Sequence, residues 1–162
     1  LISMGVIDDV TLTYTKNSAV FKSDEYTIYT RLIEGKYFAY QKMFTEGEIN
    51  TCASRTALIG AMARAKMCTE EKQPAVFQIE DDVLNISIRD KLADYQEQVP
   101  LQETVCKSIR LGFDSRLVLE TLKAFTCDNI ALGFTSPRTP MIVEAEDSDM
   151  KAMVLPVAIR EA

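Results

Sequence analysis

The sequence predicts an α+β fold in which two helices pack on antiparallel β-sheets, one complete unit being preceded by the tail of a similar one. Three observations lead there. Residues 9–15 (DVTLTYT) reappear 120 positions later as residues 129–135 (NIALGFT), with Val10, Leu12 and Tyr14 in phase with Ile130, Leu132 and Phe134. The residues after each copy keep the same plan: a turn (16–18 against 136–138), an apolar run (19–21 against 141–143), an acidic turn (23–25 against 146–149) and a third run (26–32 against 150–156). Self-similar spacing of this kind marks a duplicated unit. Finally, only two segments place apolar residues at helical spacing, while the other apolar runs are short and separated by polar turns.

In chain order, three strands are expected at 10–15, 18–23 and 26–32, from alternating large residues between turns. An aromatic-rich stretch comes next, Glu34-Gly35-Lys36-Tyr37-Phe38-Ala39-Tyr40-Gln41-Lys42-Met43-Phe44. It lacks alternation and predicts an interdomain linker with buried rings. Over 51–67, Leu58, Ile59, Ala61, Met62 and Ala65 repeat as one helical stripe, opposite a face of Thr56, Gly60, Ala63 and Arg64. Strands are expected at 75–79 and 83–89 around a tight acidic turn, Glu80-Asp81-Asp82, then at 93–101 and 105–113. Asp114 or Ser115 can cap a second helix over 115–126, whose core stripe is Val118, Leu119, Leu122 and Phe125. Three strands ending at Val157 close a β-α-ββββ-α-βββ unit.

Composition narrows the function. A hydrophobic fraction of 47% suits a packed globular chain. Position 1 is not Met, and no basic-then-apolar leader opens the chain, so it reads as the continuation of a longer polypeptide. No apolar run approaches the ~20 residues that cross a bilayer, so no membrane partner is expected, and reduced thiols are the ground for expecting a cytoplasmic location. A net charge of −6 speaks against a generally basic nucleic-acid binder, but it allows a few cations gathered on one surface. The chain has no His, and Cys52, Cys68, Cys106 and Cys127 form no close ligand pair. No metal, no cofactor and no catalytic residue is therefore expected, and reduced, buried thiols are the simplest expectation. The carboxylates at the acidic turns are expected to be solvated. No Gly-rich phosphate loop is present.

The stretch from Arg31 to Phe44, the run Ala61-Met-Ala-Arg-Ala-Lys-Met-Cys-Thr-Glu-Glu-Lys72, Gly112-Phe113 ahead of the second helix, residues 129–135, and the terminal Met153-Val-Leu-Pro-Val157 occur in one order. Together they resemble the bacterial DNA sliding clamps, the β subunit of DNA polymerase III, across nearly the whole chain. That resemblance implies the DNA-clamp (processivity) fold, with residues 1–44 as the closing strands of the second clamp domain plus linker, and 45–162 as the third domain. It implies a non-catalytic DNA polymerase processivity factor, a homodimeric ring that encircles duplex DNA without reading its sequence. Polymerase III subunits, the clamp loader and repair proteins would dock through short linear motifs.

Carried over by motif, Phe38, Lys42 and Met43 of the linker, Pro140, and Met153, Val154, Leu155, Pro156 and Val157 would line the partner-peptide pocket. Arg64, Arg116 and Lys123 would face DNA. Met67 and Cys68, ending the first helix, would meet the partner subunit. The chain departs from the family at Phe38, where Pro is common. Its ending, Val157-Ala-Ile-Arg-Glu-Ala162, stands where the family has a short Met-Arg-Leu-like terminus, so that Arg160 matches the terminal Arg only through a shift. Two other function classes stay open on the residues alone: an α+β interaction domain unrelated to DNA, and a cysteine- or carboxylate-dependent enzyme.

Overall fold

In the computed structural model, residues 9–68, 73–89, 94–146 and 148–159 are described. Arg160 and Asp147 of the acidic turn lie outside them, as do residues 69–72 of the stretch 61–72. The chain divides into two units, Leu1–Ala39 and Tyr40–Ala162. The smaller is a three-stranded antiparallel meander, β1 (Thr11–Tyr14), β2 (Ser18–Lys22) and β3 (Thr27–Arg31).

The larger unit begins with a 3-10 turn at Tyr40–Met43. It continues as β4 (Ile49–Ser54), α1 (Arg55–Met67), β5 (Ala75–Arg89), β6 (Asp94–Phe113), α2 (Ser115–Ala124), β7 (Asn129–Phe134), β8 (Met141–Ala145) and β9 (Ser148–Val154). Its six strands form one sheet in the order β5-β6-β4-β7-β8-β9. The two helices pack on each other, α1 also on β4, β5 and β6, and α2 on β9.

The echo in the sequence is an echo in register. Leu12 pairs with Phe21 and Phe21 with Ile28; Leu132 pairs with Val143 and Val143 with Ala152. The neighbouring rows, Thr13–Val20–Tyr29 and Gly133–Ile142–Met153, correspond in the same way. Burial differs between the copies. Leu132 and Val143 join the core that also holds the buried residues of both helices, whereas Leu12 and Tyr14 are exposed.

Each helix starts where a short polar side chain meets an otherwise unpaired N–H. Ser54 accepts from Ala57 N, and Asp114 Oδ1 accepts from Arg116 N at 2.8 Å. Leu58, Ala61, Met62 and Ala65 of α1 are buried, as are Val118, Leu119 and Leu122 of α2, with Phe125 at its end. Ile59 is only half-buried at the rim of the stripe. Residues 51–54 belong to β4 and not to the first helix. There Ile49, Thr51 and Ala53 alternate inward, and the whole of β4 pairs with β7.

The largest correction concerns the middle of the chain. The four strands expected between the helices are two long ones. Glu80-Asp81-Asp82 is exposed but lies inside β5, where Asp81 adopts φ +51°. This left-handed backbone is one that Asp tolerates better than most residues. Between the pairs Asp81–Val105 and Val83–Pro100, β5 uses one residue and β6 four. The surplus in β6 leans on its other neighbours. Leu101 pairs with Ala53, Thr51 Oγ1 donates to Glu103 O at 3.3 Å, and Gln102 Nε2 donates to Asn129 Oδ1 at 2.7 Å. A bulge thus lets one hairpin run past a polar stretch that resembles a turn, and adds twist where β6 must meet β4.

Two smaller expectations also change. The linker rings are not buried: Tyr37, Phe38 and Tyr40 are exposed, Tyr37 and Phe38 stacking on each other at 4.9 Å. Of the thiols, Cys52, Cys68 and Cys127 are half-buried, while Cys106 is exposed on an outward position of β6.

Candidate functional site

Charge is segregated onto the helices. Along α1 stand Arg55, Arg64 and Lys66 with no carboxylate; α2 carries Arg116 and Lys123 with Glu120 alone. The rest of the chain then holds thirteen cations against twenty-three carboxylates. The helical layer is therefore the positive part of a negative chain, and its cations differ in how they are held. Arg55 Nε donates to Cys127 O, which ties it to the loop before β7. The Arg64 fork meets both oxygens of Glu97 on β6, Nε reaching Oε2 at 2.8 Å and Nη2 reaching Oε1. Arg116 pairs with Asp114 of its own cap at 3.3 Å. Lys123 is exposed and makes no ion pair among the described residues.

The Tyr95 hydroxyl lies 2.9 Å from Ala61 O and also meets Glu97 Oε2. With one proton it donates to one of them at a time. The hydrogen bonds from Arg64 hold the Glu97 carboxyl below its ordinary range, against a smaller opposing effect of burial. Burial, with Glu97 alongside, pushes the Tyr95 phenol well up. At Asp114 burial alone would raise the carboxyl, but the Arg116 guanidinium and backbone N–H bring it down.

The second region is the C-terminal strand and the tail beyond it. Val154 is 3% exposed and sits in the core, paired with Met141, so it is not free to line a pocket. Leu155 next to it is 59% exposed. Met153 is half-buried opposite Ile142. Past the end of β9, Val157 N donates to Gly112 O at 2.8 Å, forming an isolated antiparallel bridge. Pro156 to Ile159, with Arg110, Leu111, Gly112, Pro137 and Arg138, line an open cleft of about 430 Å³. Gly112 is required by that approach. A Cβ there would lie 2.8 Å from Val157 O and 3.0 Å from Ile159 Cγ1.

The structure thus brings Pro156 and Val157 together in one cleft. Pro140 lies nearby in sequence, half-buried after the Ser136–Thr139 turn, in which Ser136 N donates to Thr139 Oγ1 at 2.9 Å. Lys42, exposed, and Met43, half-buried, lie on the 3-10 turn; Phe38 belongs to the smaller unit. Met67 is 79% exposed at the end of α1, and Cys68 caps that end, half-buried against the core, its N–H donating to Ala65 O.

Sequence reasoning missed Glu97 and Tyr95, which stand more than thirty positions from their α1 partners. It also missed Arg138 and the cleft wall at Gly112. The one available signal was a lone Gly inside a strand, which often marks a close backbone approach. Burial, with Glu103 and Glu146 adding to it, pushes the Cys52 thiol up and so away from the reactive thiolate.

Residues 44–158 match the family described as the DNA polymerase III beta subunit, C-terminal domain. Among curated relatives, the beta sliding clamp of Staphylococcus aureus is 24% identical over 155 residues, which cover 93% of this chain and 41% of that protein. The beta sliding clamp of Halalkalibacterium halodurans is 25% identical over 140 residues, covering 83% and 37%. The chain therefore spans about two-fifths of the length of these relatives. The fold agrees with solved structures. A putative DNA polymerase III beta subunit from Eubacterium rectale superposes with a TM-score of 0.81 at 23% identity, over 91% of this chain and 41% of that one. A sliding clamp from Bartonella birtlesii, solved with griselimycin bound, gives 0.85 at 16% identity over 98% and 44%. By fold, element order and a family match that covers most of its length, this chain belongs to the family formed by the C-terminal domain of the DNA polymerase III beta subunit.

Proposed function

We propose that this chain is the closing part of a DNA polymerase processivity factor, a sliding clamp that encircles duplex DNA and performs no catalysis. Residues 1–44 would close the second clamp domain and lead through the linker into the third, residues 45–162. The observation that carries the proposal is the segregation of charge. The helices carry five cations and one carboxylate, with Glu97 and Asp114 paired beside them, in a chain of net charge −6, so they are the part of the chain that would hold phosphates diffusely. Arg64, Arg116 and Lys123 would be its DNA-facing members, and Met67 and Cys68 would meet the partner subunit of a homodimer. The polypeptide that carries these residues is expected to stay on a nicked circular DNA after loading and to leave once the circle is cut. Equal retention on linear and circular DNA would remove the encircling ring.

Short linear peptides from polymerase III subunits, the clamp loader and repair proteins would dock on the larger unit at Lys42, Met43, Pro140, Met153, Leu155, Pro156 and Val157. An apolar surface of this kind receives anchors from an extended or partly helical segment. Leu155→Asp is the sharp test, because Leu155 is exposed and its loss leaves the core intact. A fluorescent peptide of the Gln-x-x-Leu-Phe type should lose at least about tenfold in affinity, roughly 1.4 kcal/mol. Salt should matter little to that binding. Unchanged peptide affinity in Leu155→Asp would rule out the pocket at this strand.

A further inference from the structure

We infer that Glu97, braced by Tyr95, is an internal counter-ion that competes with DNA phosphate for Arg64 and so limits the hold of the helical face on DNA. This rests on the reading of α1 as DNA-facing.

Three features make the arrangement a built one. The Arg64 guanidinium lies back along its own helix over Gly60, where an added Cβ would stand 3.2 Å from Nη2. That is the direction in which long helical side chains run, toward the N-terminal turn. Both oxygens of Glu97 are taken by the fork, the geometry a phosphate would also use. The Tyr95 hydroxyl reaches the same carboxylate and the α1 backbone at Ala61 O, bracing Glu97 beside the helix.

Arg64 is nevertheless half-exposed, so a polyanion can reach it. A phosphate that binds there must displace a carboxylate that remains beside it and repels it. Such a cation adds little to affinity and little to counterion release, a useful property where a protein has to slide along DNA as well as hold it. Arg116, paired with Asp114, is restrained in the same sense. Lys123, by contrast, makes no ion pair among the described residues.

The test uses this chain and a labelled duplex, with affinity read by anisotropy across a potassium chloride series. Four proteins are compared: the unsubstituted chain, Glu97→Gln, Arg64→Ala and the double variant, each with a thermal melt to confirm folding. Glu97→Gln should bind several-fold tighter at low salt. Its plot of log affinity against log salt should steepen by about 0.9, the value for one added phosphate contact. Arg64→Ala alone should leave the slope where it was, and the steepening should vanish in the double variant. A purely structural role for the pair would alter melting but not the slope.

Glu97→Gln with an unchanged slope, on a chain that does bind duplex, would overturn the counter-ion and leave the clamp reading standing. Steepening that persists without Arg64 would overturn it too. No duplex binding by any of the four down to the lowest salt would remove the DNA-facing role of α1, and this inference with it.

Discussion

Phe113→Ala should cost the larger unit about 3–5 kcal/mol of stability, the range for emptying a buried aromatic site. Phe113 is fully buried at the end of β6, paired with Ala75 across the hairpin and meeting Phe77 edge to face at 5.1 Å and 66°. The substitution removes the ring contact with Phe77 and leaves a void that neighbouring strands cannot close without shifting register. It also sits immediately before Asp114, whose carboxylate starts α2. Denaturant unfolding should show the full loss. Leu117→Ala, two residues into α2 at a position 51% exposed, should change stability by no more than about 0.5 kcal/mol. If Phe113→Ala costs under about 1 kcal/mol, the packing of the two rings is not what holds β6 against β5.

Gly112→Val should have the next largest effect, and a different one. A side chain at 112 meets the backbone carbonyl of Val157 and the side chains of Ile159 and Pro74. A carbonyl held by the chain on both sides cannot simply rotate away. Residues 156–159 must therefore lift off, and the hydrogen bond from Val157 N to Gly112 O breaks. Overpacking of this kind costs about 1–3 kcal/mol. The functional readout should be larger: the Val157 amide loses its protection from hydrogen exchange, and peptide affinity falls along with it. Retained protection at Val157 would show that the tail is anchored elsewhere, and would disconnect the cleft from the docking surface.

Legibility in the sequence depended on whether a signal is local. Leu58, Ala61, Met62 and Ala65, or Val118, Leu119 and Leu122, reveal a helix because a 3.6-residue period is written in consecutive positions. The meanders were legible for the same reason, reinforced by the copy 120 residues away. The long hairpin was not. Glu80-Asp81-Asp82 has the composition of a turn, and only its partners Val105 and Pro100, distant in sequence, keep it in a strand. The expected opening strand is β4, but its end was hidden because residues 51–54 run without a break into the helical stripe. Nor could any period reveal that Glu97 would close on Arg64. At the C-terminal strand the pattern did indicate an apolar set, but it could not say that Val154 joins the core while its neighbour Leu155 stays out.

The uneven placement of charge has a consequence for how a polyanion is met. Beyond the screening length of ~8 Å the net charge of −6 is largely hidden, and within it a polyanion meets mainly the charges nearest to it. If the helices face DNA as proposed, attraction would be felt only at short range and only on that side. On the proposed reading, most random encounters would be unproductive, and a duplex would be retained only when delivered to the helical side.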